Sequence, residues 1–236
     1  MNNAAPGRRN LAVAGVIVAV LALVVGIGWA VQSSRDSTGD AAKNPGESAT
    51  EGATSAPVTA VDTYGIGVGS ADAKAKVEIF EDFRCPHCAD FEAASRDSLR
   101  GLAGDGAALV VYRPMAFLNK YSVLAMNAVG AVMDSGDMEA ALDLHDLFFE
   151  QQPEGDDVPS ADWFIEQAAS VGADSPEVEA AIRDNEFEQW VVNGTDDASK
   201  RGVTGTPTVF VNGEQVLGAS IEELAAETVK AIEAAQ

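Results

Sequence analysis

Cys85 and Cys88 stand three positions apart in the run Cys85-Pro86-His87-Cys88, and they are the only cysteines among 236 residues. Two thiols so placed can staple a chain, hold part of a metal site or cycle between dithiol and disulfide. A staple this short does little, since a four-residue loop gains roughly 2 kcal/mol against about 4.7 for a hundred-residue loop. A structural zinc site wants four ligands, and beyond the sulfurs only His87 and His145 are available as histidines, so no metal is read here. Redox exchange needs a thiolate. An ordinary thiol with a pKa near 8.5 is about 3% thiolate at pH 7, whereas one lowered to about 4 is nearly all thiolate, a difference of roughly 6 kcal/mol. A helix N-terminus supplies such stabilisation through unpaired N–H groups and the helix dipole. Cys85 is therefore read as the exposed attacking thiolate, Cys88 as the inward resolving thiol, and His87 as a charge or donor beside the sulfur.

The flanking sequence predicts the elements that would hold this pair. Residues 76–82 read as a strand running into Cys85, and Pro86 occupies the favoured first position of a helix continuing to about residue 102. A second strand is predicted at 107–112. Helical periodicity then dominates, over 121–134, 138–151, 160–171 and 176–199, separated by Gly, Pro and Asp. Strands at 208–211 and 215–217 flank Asn212-Gly213, a strong hairpin signal, and 221–235 closes as an amphipathic helix. The order predicts an α/β domain over 58–236 in which a helical block at about 118–200 interrupts a β–α–β and β–β–α core.

Upstream, residues 11–31 are all apolar or Gly and would span roughly 30 Å as a helix, the thickness of a bilayer core. They are read as one retained transmembrane anchor, since the end of the span is a poor cleavage site. Arg8 and Arg9 in the 1–10 segment place that end in the cytoplasm and the domain outside. Residues 32–57 lack aromatic, Val, Ile, Leu and Met side chains and read as a flexible tether with a reach of roughly 30 Å. The formal net charge of −22 belongs wholly to the domain, because Arg8, Arg9, Arg35 and Lys43 are offset by Asp36, Asp40, Glu47 and Glu51. Such a surface repels phosphate backbones, which excludes nucleic acid as a partner.

Cys85-Pro86-His87-Cys88 after Val77-Glu78-Ile79-Phe80-Glu81-Asp82-Phe83, together with Gly205-Thr206-Pro207-Thr208-Val209-Phe210-Val211, resembles the DsbA-like branch of the thioredoxin superfamily. The resemblance covers roughly residue 64 to the C-terminus, and the 122 positions from Cys85 to Pro207 leave room for the helical insertion of that branch. It implies a thioredoxin fold, a cis Pro207 opposite the sulfurs, and a Thr206 backbone that pairs with an extended substrate peptide. Many members carry a buried acid six residues before the first cysteine, where this chain has Ile79. Glu81 and Asp82 are nearby acids that would raise a close thiol's pKa, and Arg84 would lower it. His145 reads as an ordinary helical residue, and the sequon Asn193-Gly194-Thr195 is assigned no role.

The function expected is an extracytoplasmic thiol-disulfide oxidoreductase donating a disulfide to exported proteins that carry cysteine thiols, with no cofactor. The resemblance implies a quinone-linked membrane protein to reoxidise it. One alternative is a membrane-tethered reductase or isomerase; another is a tethered binding or chaperone module without redox turnover. With no further cysteine for intermolecular linkage, a monomer is expected.

Overall fold

Six strands form one mixed sheet in the computed structural model, which describes residues 41–45, 56–153, 155 and 157–236. They are β1 (Val58–Val61), β2 (Gly65–Val68), β3 (Ala75–Glu81), β4 (Ala108–Pro114), β5 (Thr208–Val211) and β6 (Glu214–Val216), in the order β1-β2-β4-β3-β5-β6. β3 and β4 are parallel and joined by α1 (Pro86–Gly104), and β5 lies antiparallel to β3 with Val77 opposite Val211. β3 and β4 are buried on both faces; β4 reads as a near-continuous apolar run, while β3 buries Glu78 and Glu81 among its apolar residues. At the β5–β6 turn Asn212 and Gly213 have φ of 52° and 82°, the two left-handed residues of a tight hairpin turn.

The β1–β2 hairpin is absent from the sequence reading. Gly65 and Gly67 halve the apolar signal of β2, yet the packing demands them: a Cβ on Gly67 would lie 2.4 Å from Val61 Cγ2, and one on Gly65 2.7 Å from Val111 Cγ1. The hairpin extends the sheet beyond β4.

Between β4 and β5 run α2 (Lys120–Asp134), α3 (Met138–Glu150), α4 (Ala161–Ser170), α5 (Pro176–Arg183) and α6 (Glu188–Lys200). α2 packs against the other four helices of this block and is apolar nearly all round, as a helix enclosed by others must be. Asn119 caps it by accepting from the Tyr121 and Ser122 amides. The single helix predicted over 176–199 is instead two helices. Asn185 adopts φ 51°, and the chain re-enters α6 after Phe187, whose amide donates to Asn127 Oδ1 at 2.9 Å. The closing helix, α7 (Ile221–Ala234), packs on α1 and on β3, β5 and β6.

The anchor read at 11–31 lies outside the described residues, and among the described residues no helix is long and apolar enough to cross a membrane. Most of the stretch read as a tether, 32–57, also lies outside them. Residues 41–45 within it rest on the helical block: Pro45 is buried, and Lys43 pairs with Asp134 at 2.9 Å and Glu186 at 3.1 Å. Asn193 of the sequon is 2% exposed, so its amide is sequestered from glycosylation.

Candidate active site

β3 ends at Glu81, and the Cys85 amide turns back to donate to the Asp82 carbonyl at 2.8 Å. Asp82 fixes this corner: its carboxylate accepts from the Arg84 amide at 2.8 Å, the Phe117 and Leu118 amides at 3.0 and 3.2 Å, and the Ser122 hydroxyl at 2.5 Å. Cys85 is then the extended N-cap of α1, with Pro86 at the first helical position. Gln152, just beyond α3, closes over the loop and donates to the carbonyls of Phe83 and Cys85 at 2.9 and 3.0 Å.

The first turn of α1 contains no acidic residue, so the positive end of its dipole is left to the sulfur. Both cysteines are free thiols; Cys85 is 6% exposed, so the exposed thiolate of the sequence reading is largely enclosed, and Cys88 is fully buried. The Thr206–Pro207 bond is cis, and the Cys85 thiol donates to the Thr206 carbonyl at 3.3 Å across 121 residues of chain. A hydrogen bond from the Cys88 side chain does most to pull the Cys85 pKa down from 9.0 to about 6. Burial opposes this, and hydrogen bonds from the Thr206 side chain and from the backbone amides of Cys88 and His87 assist. Burial pushes the Cys88 thiol far up, helped by the thiolate of Cys85 and the charge of Glu81.

His87 contributes a donor beside the sulfur through its main chain. Its backbone amide stabilises the Cys85 thiolate, while its exposed ring lies 3.7 Å from Asp90. That ring and Pro207 border a cleft of about 540 Å³ whose far wall is the turn into α7. Gly218 sits in this wall where a Cβ would meet the Leu224 backbone nitrogen at 2.3 Å. Gly218→Ala is expected to displace the first turn of α7 and cost about 2 kcal/mol, read as a lower midpoint in urea with an unchanged m-value.

Beneath Cys88 lies a polar cluster that the sequence reading missed. Glu81, at the end of β3, and His145 on α3 are both fully buried, with His145 Nε2 2.5 Å from Glu81 Oε1 and Nδ1 3.0 Å from Asp146. From α1, Arg100 donates to Asp146 at 2.7 Å, Arg96 lies 3.6 Å from it, and Glu92 faces the same space. Burial lowers the imidazolium, but Glu81 and Asp146 outweigh it and raise the His145 pKa to about 10. Burial and the Glu81 charge raise Glu92 to about 8. His145 is thus far from an ordinary helical residue, and Ile79 is only core. Helix periodicity carried a signal: Glu92 sits on the buried stripe of Cys88, Phe91, Ser95 and Leu99, and His145 on that of Ala141, Leu142 and Phe149.

A family model described as thioredoxin matches residues 62–233. The chain belongs to the thioredoxin family. Among solved structures of similar fold, oxidised DsbA of Mycobacterium tuberculosis is 30% identical with a TM-score of 0.58, over 71% of this chain and 90% of that one. MdbA of Corynebacterium diphtheriae, a thiol-disulfide oxidoreductase, is 26% identical with a TM-score of 0.61, over 82% and 96%. A curated relative, Na(+)/H(+) antiporter NhaA 3 of Salinispora tropica, is 29% identical over 71% of this chain, which spans only 25% of that protein's length. Fold, cysteine pair and solved neighbours together make this thioredoxin-family domain a protein disulfide oxidoreductase. A metal has weak purchase in this thioredoxin-family core. Glu92, His145 and Asp146 bring donor atoms within 4.8 Å of one another, but both ring nitrogens of His145 already face carboxylates and two arginines compensate Asp146.

Proposed function

We propose that the protein donates disulfides to exported proteins outside the cytoplasmic membrane, held there by a transmembrane anchor at residues 11–31. The observation that carries the donor direction is the asymmetry of the pair: a Cys85 thiolate stabilised to a pKa of about 6 favours the reduced state and so makes the disulfide a better oxidant. Thioredoxin, with a thiol near 7 and a potential near −270 mV, and DsbA, near 3.5 and −120 mV, bracket this value, which places the expected potential between theirs. Structural disulfides lie below about −300 mV, so transfer to them from any potential in that interval is downhill. Substrate cysteines would meet Cys85 beside the Thr206 backbone, and a membrane-bound quinone-linked protein would restore the disulfide. The apolar run at residues 11–31 supports a place at the bilayer.

Two measurements test the reading. Titration of the full chain in glutathione buffers is expected to give a midpoint between about −270 and −120 mV; one at −270 mV or below, with a Cys85 pKa near 8, overturns donation and leaves the reductase or isomerase alternative. In cells, Cys88→Ala is expected to trap mixed disulfides with exported proteins at Cys85; an empty trap favours a tethered binding module.

A further inference from the structure

The buried cluster beside Cys88 has a direction. At its inner end Glu81 Oε2 is buried without a hydrogen-bond partner, while Oε1 is held by His145 Nε2 at 2.5 Å. At its outer end Asp146, 3.0 Å from His145 Nδ1, is 13% exposed and reaches the surface between Arg96 and Arg100. Among the described residues, His145 is the one group touching both carboxylates. The groups packed around it are Glu81 on β3, Glu92, Arg96 and Arg100 on α1, Tyr112 on β4, Asp146 on α3, and the rings of Phe83 and Phe149. The rings of Phe83, Tyr112 and Phe149 pack around His145, and the row of buried polar groups links Glu81 to the partly exposed Asp146.

We infer that His145 is a positioning and relay residue that carries the Cys88 proton between Glu81 and solvent at Asp146. This rests on the thiol-disulfide reading of Cys85 and Cys88. During reoxidation, the Cys85 thiolate attacks a disulfide, forming a mixed disulfide and expelling one thiolate. Cys88 then attacks the Cys85 sulfur, breaking the mixed disulfide and expelling the second thiolate. As it does so, its proton passes to Glu81 Oε2 while His145 releases its Nδ1 proton to Asp146 and water. The dithiol loses two electrons, the external disulfide gains them, and its two thiolates take protons from solvent. In disulfide donation the relay runs backwards and protonates Cys88 as it leaves.

The test mixes reduced full chain with oxidised glutathione and follows the two steps separately, formation of the Cys85–glutathione disulfide and its resolution by Cys88. A resolution rate in the wild type that changes less than about 3-fold between pH 6 and 8 supports the relay, because an unassisted buried thiol would gain about 10-fold per pH unit. His145→Gln is expected to slow resolution about 100-fold at pH 6.5 and to restore that steep pH dependence, leaving the first step's pH midpoint in place. Asp146→Asn, which spares the buried pair, is expected to slow resolution about 10-fold with the same steepening. A steep wild-type profile, or variants within about 2-fold of wild type at every pH, overturns the relay. Should His145→Gln fail to fold, the wild-type profile and Asp146→Asn decide. Failure of the mixed disulfide to form at all speaks against the redox reading itself, a separate outcome visible in the first step.

Discussion

Titrated by thiolate absorbance, the reduced protein is expected to gain one thiolate with a midpoint near pH 6 and no second one up to pH 10, and iodoacetamide at pH 7 is expected to modify Cys85 more than about 1000-fold faster than Cys88. The split arises because one hydrogen bond serves both sulfurs: Cys88, kept neutral by burial, donates to Cys85, and that donation does more than any other contact to stabilise the thiolate. Cys88→Ala removes the donor while leaving the helix end and the amides of His87 and residue 88. Its Cys85 midpoint is expected to climb by about one pH unit or more, with a loss of roughly 1.4 kcal/mol per unit. His87→Ala keeps the backbone amide and removes only an exposed ring 3.7 Å from Asp90, so its midpoint is expected to move by less than about half a unit. A midpoint that follows the His87 ring and ignores Cys88 would reverse this assignment.

The depressed thiol also couples folding to pH in the reduced protein. With a folded pKa below the ordinary 9.0, the thiolate contributes stability that is fully present above that value and is lost as pH falls through about 6. The oxidised protein lacks this term, so the stability difference between the two redox forms shrinks in favour of the disulfide form toward acid pH.

What could be read from the chain alone follows from how local each signal is. The strand into Cys85, Pro86 at the helix start and the Asn212-Gly213 turn are decided by neighbouring residues, and the structure has all three. The break between α5 and α6 turns on one left-handed residue, Asn185, which a window spanning both helices averages away. β2 was hidden because its glycines serve contacts with Val61 and Val111 from other strands. The acid near the resolving cysteine was sought six residues before Cys85, at Ile79; in the structure Glu81, Glu92 and His145 converge from β3, α1 and α3. The spacing of Glu92 and His145 on buried helix stripes marks them as inside. Their mutual contact depends on the packing of the helical block against the sheet, which no short window encodes.

Glu92→Gln is expected to stabilise the protein at pH 8 by about 2 kcal/mol and to leave it unchanged near pH 4. Glu92 is 1% exposed, and among the described residues its Oε1 has no hydrogen-bond partner and its guanidinium contact is Arg96 Nε at 3.4 Å. Burial, then the Glu81 charge, raise its pKa from 4.5 to about 8. A raised carboxyl means that the folded state holds a proton the unfolded state has lost between those two values. Stability is therefore complete below about 4.5 and falls as pH rises through about 8, where the folded state must finally accept a second buried carboxylate beside Glu81. Glutamine has the shape of the protonated acid, keeps a carbonyl oxygen for Arg96 and removes the titration. Urea midpoints of wild type and variant are expected to coincide at pH 4 and to diverge steadily toward pH 8, with equal m-values throughout. A constant difference at all pH values would mean that packing, and not ionisation, separates the two proteins. A variant less stable at pH 8 would mean that the Glu92 carboxylate is held ionised by Arg96 and His145, which would also leave the relay beside Cys88 with one more fixed negative charge at neutral pH.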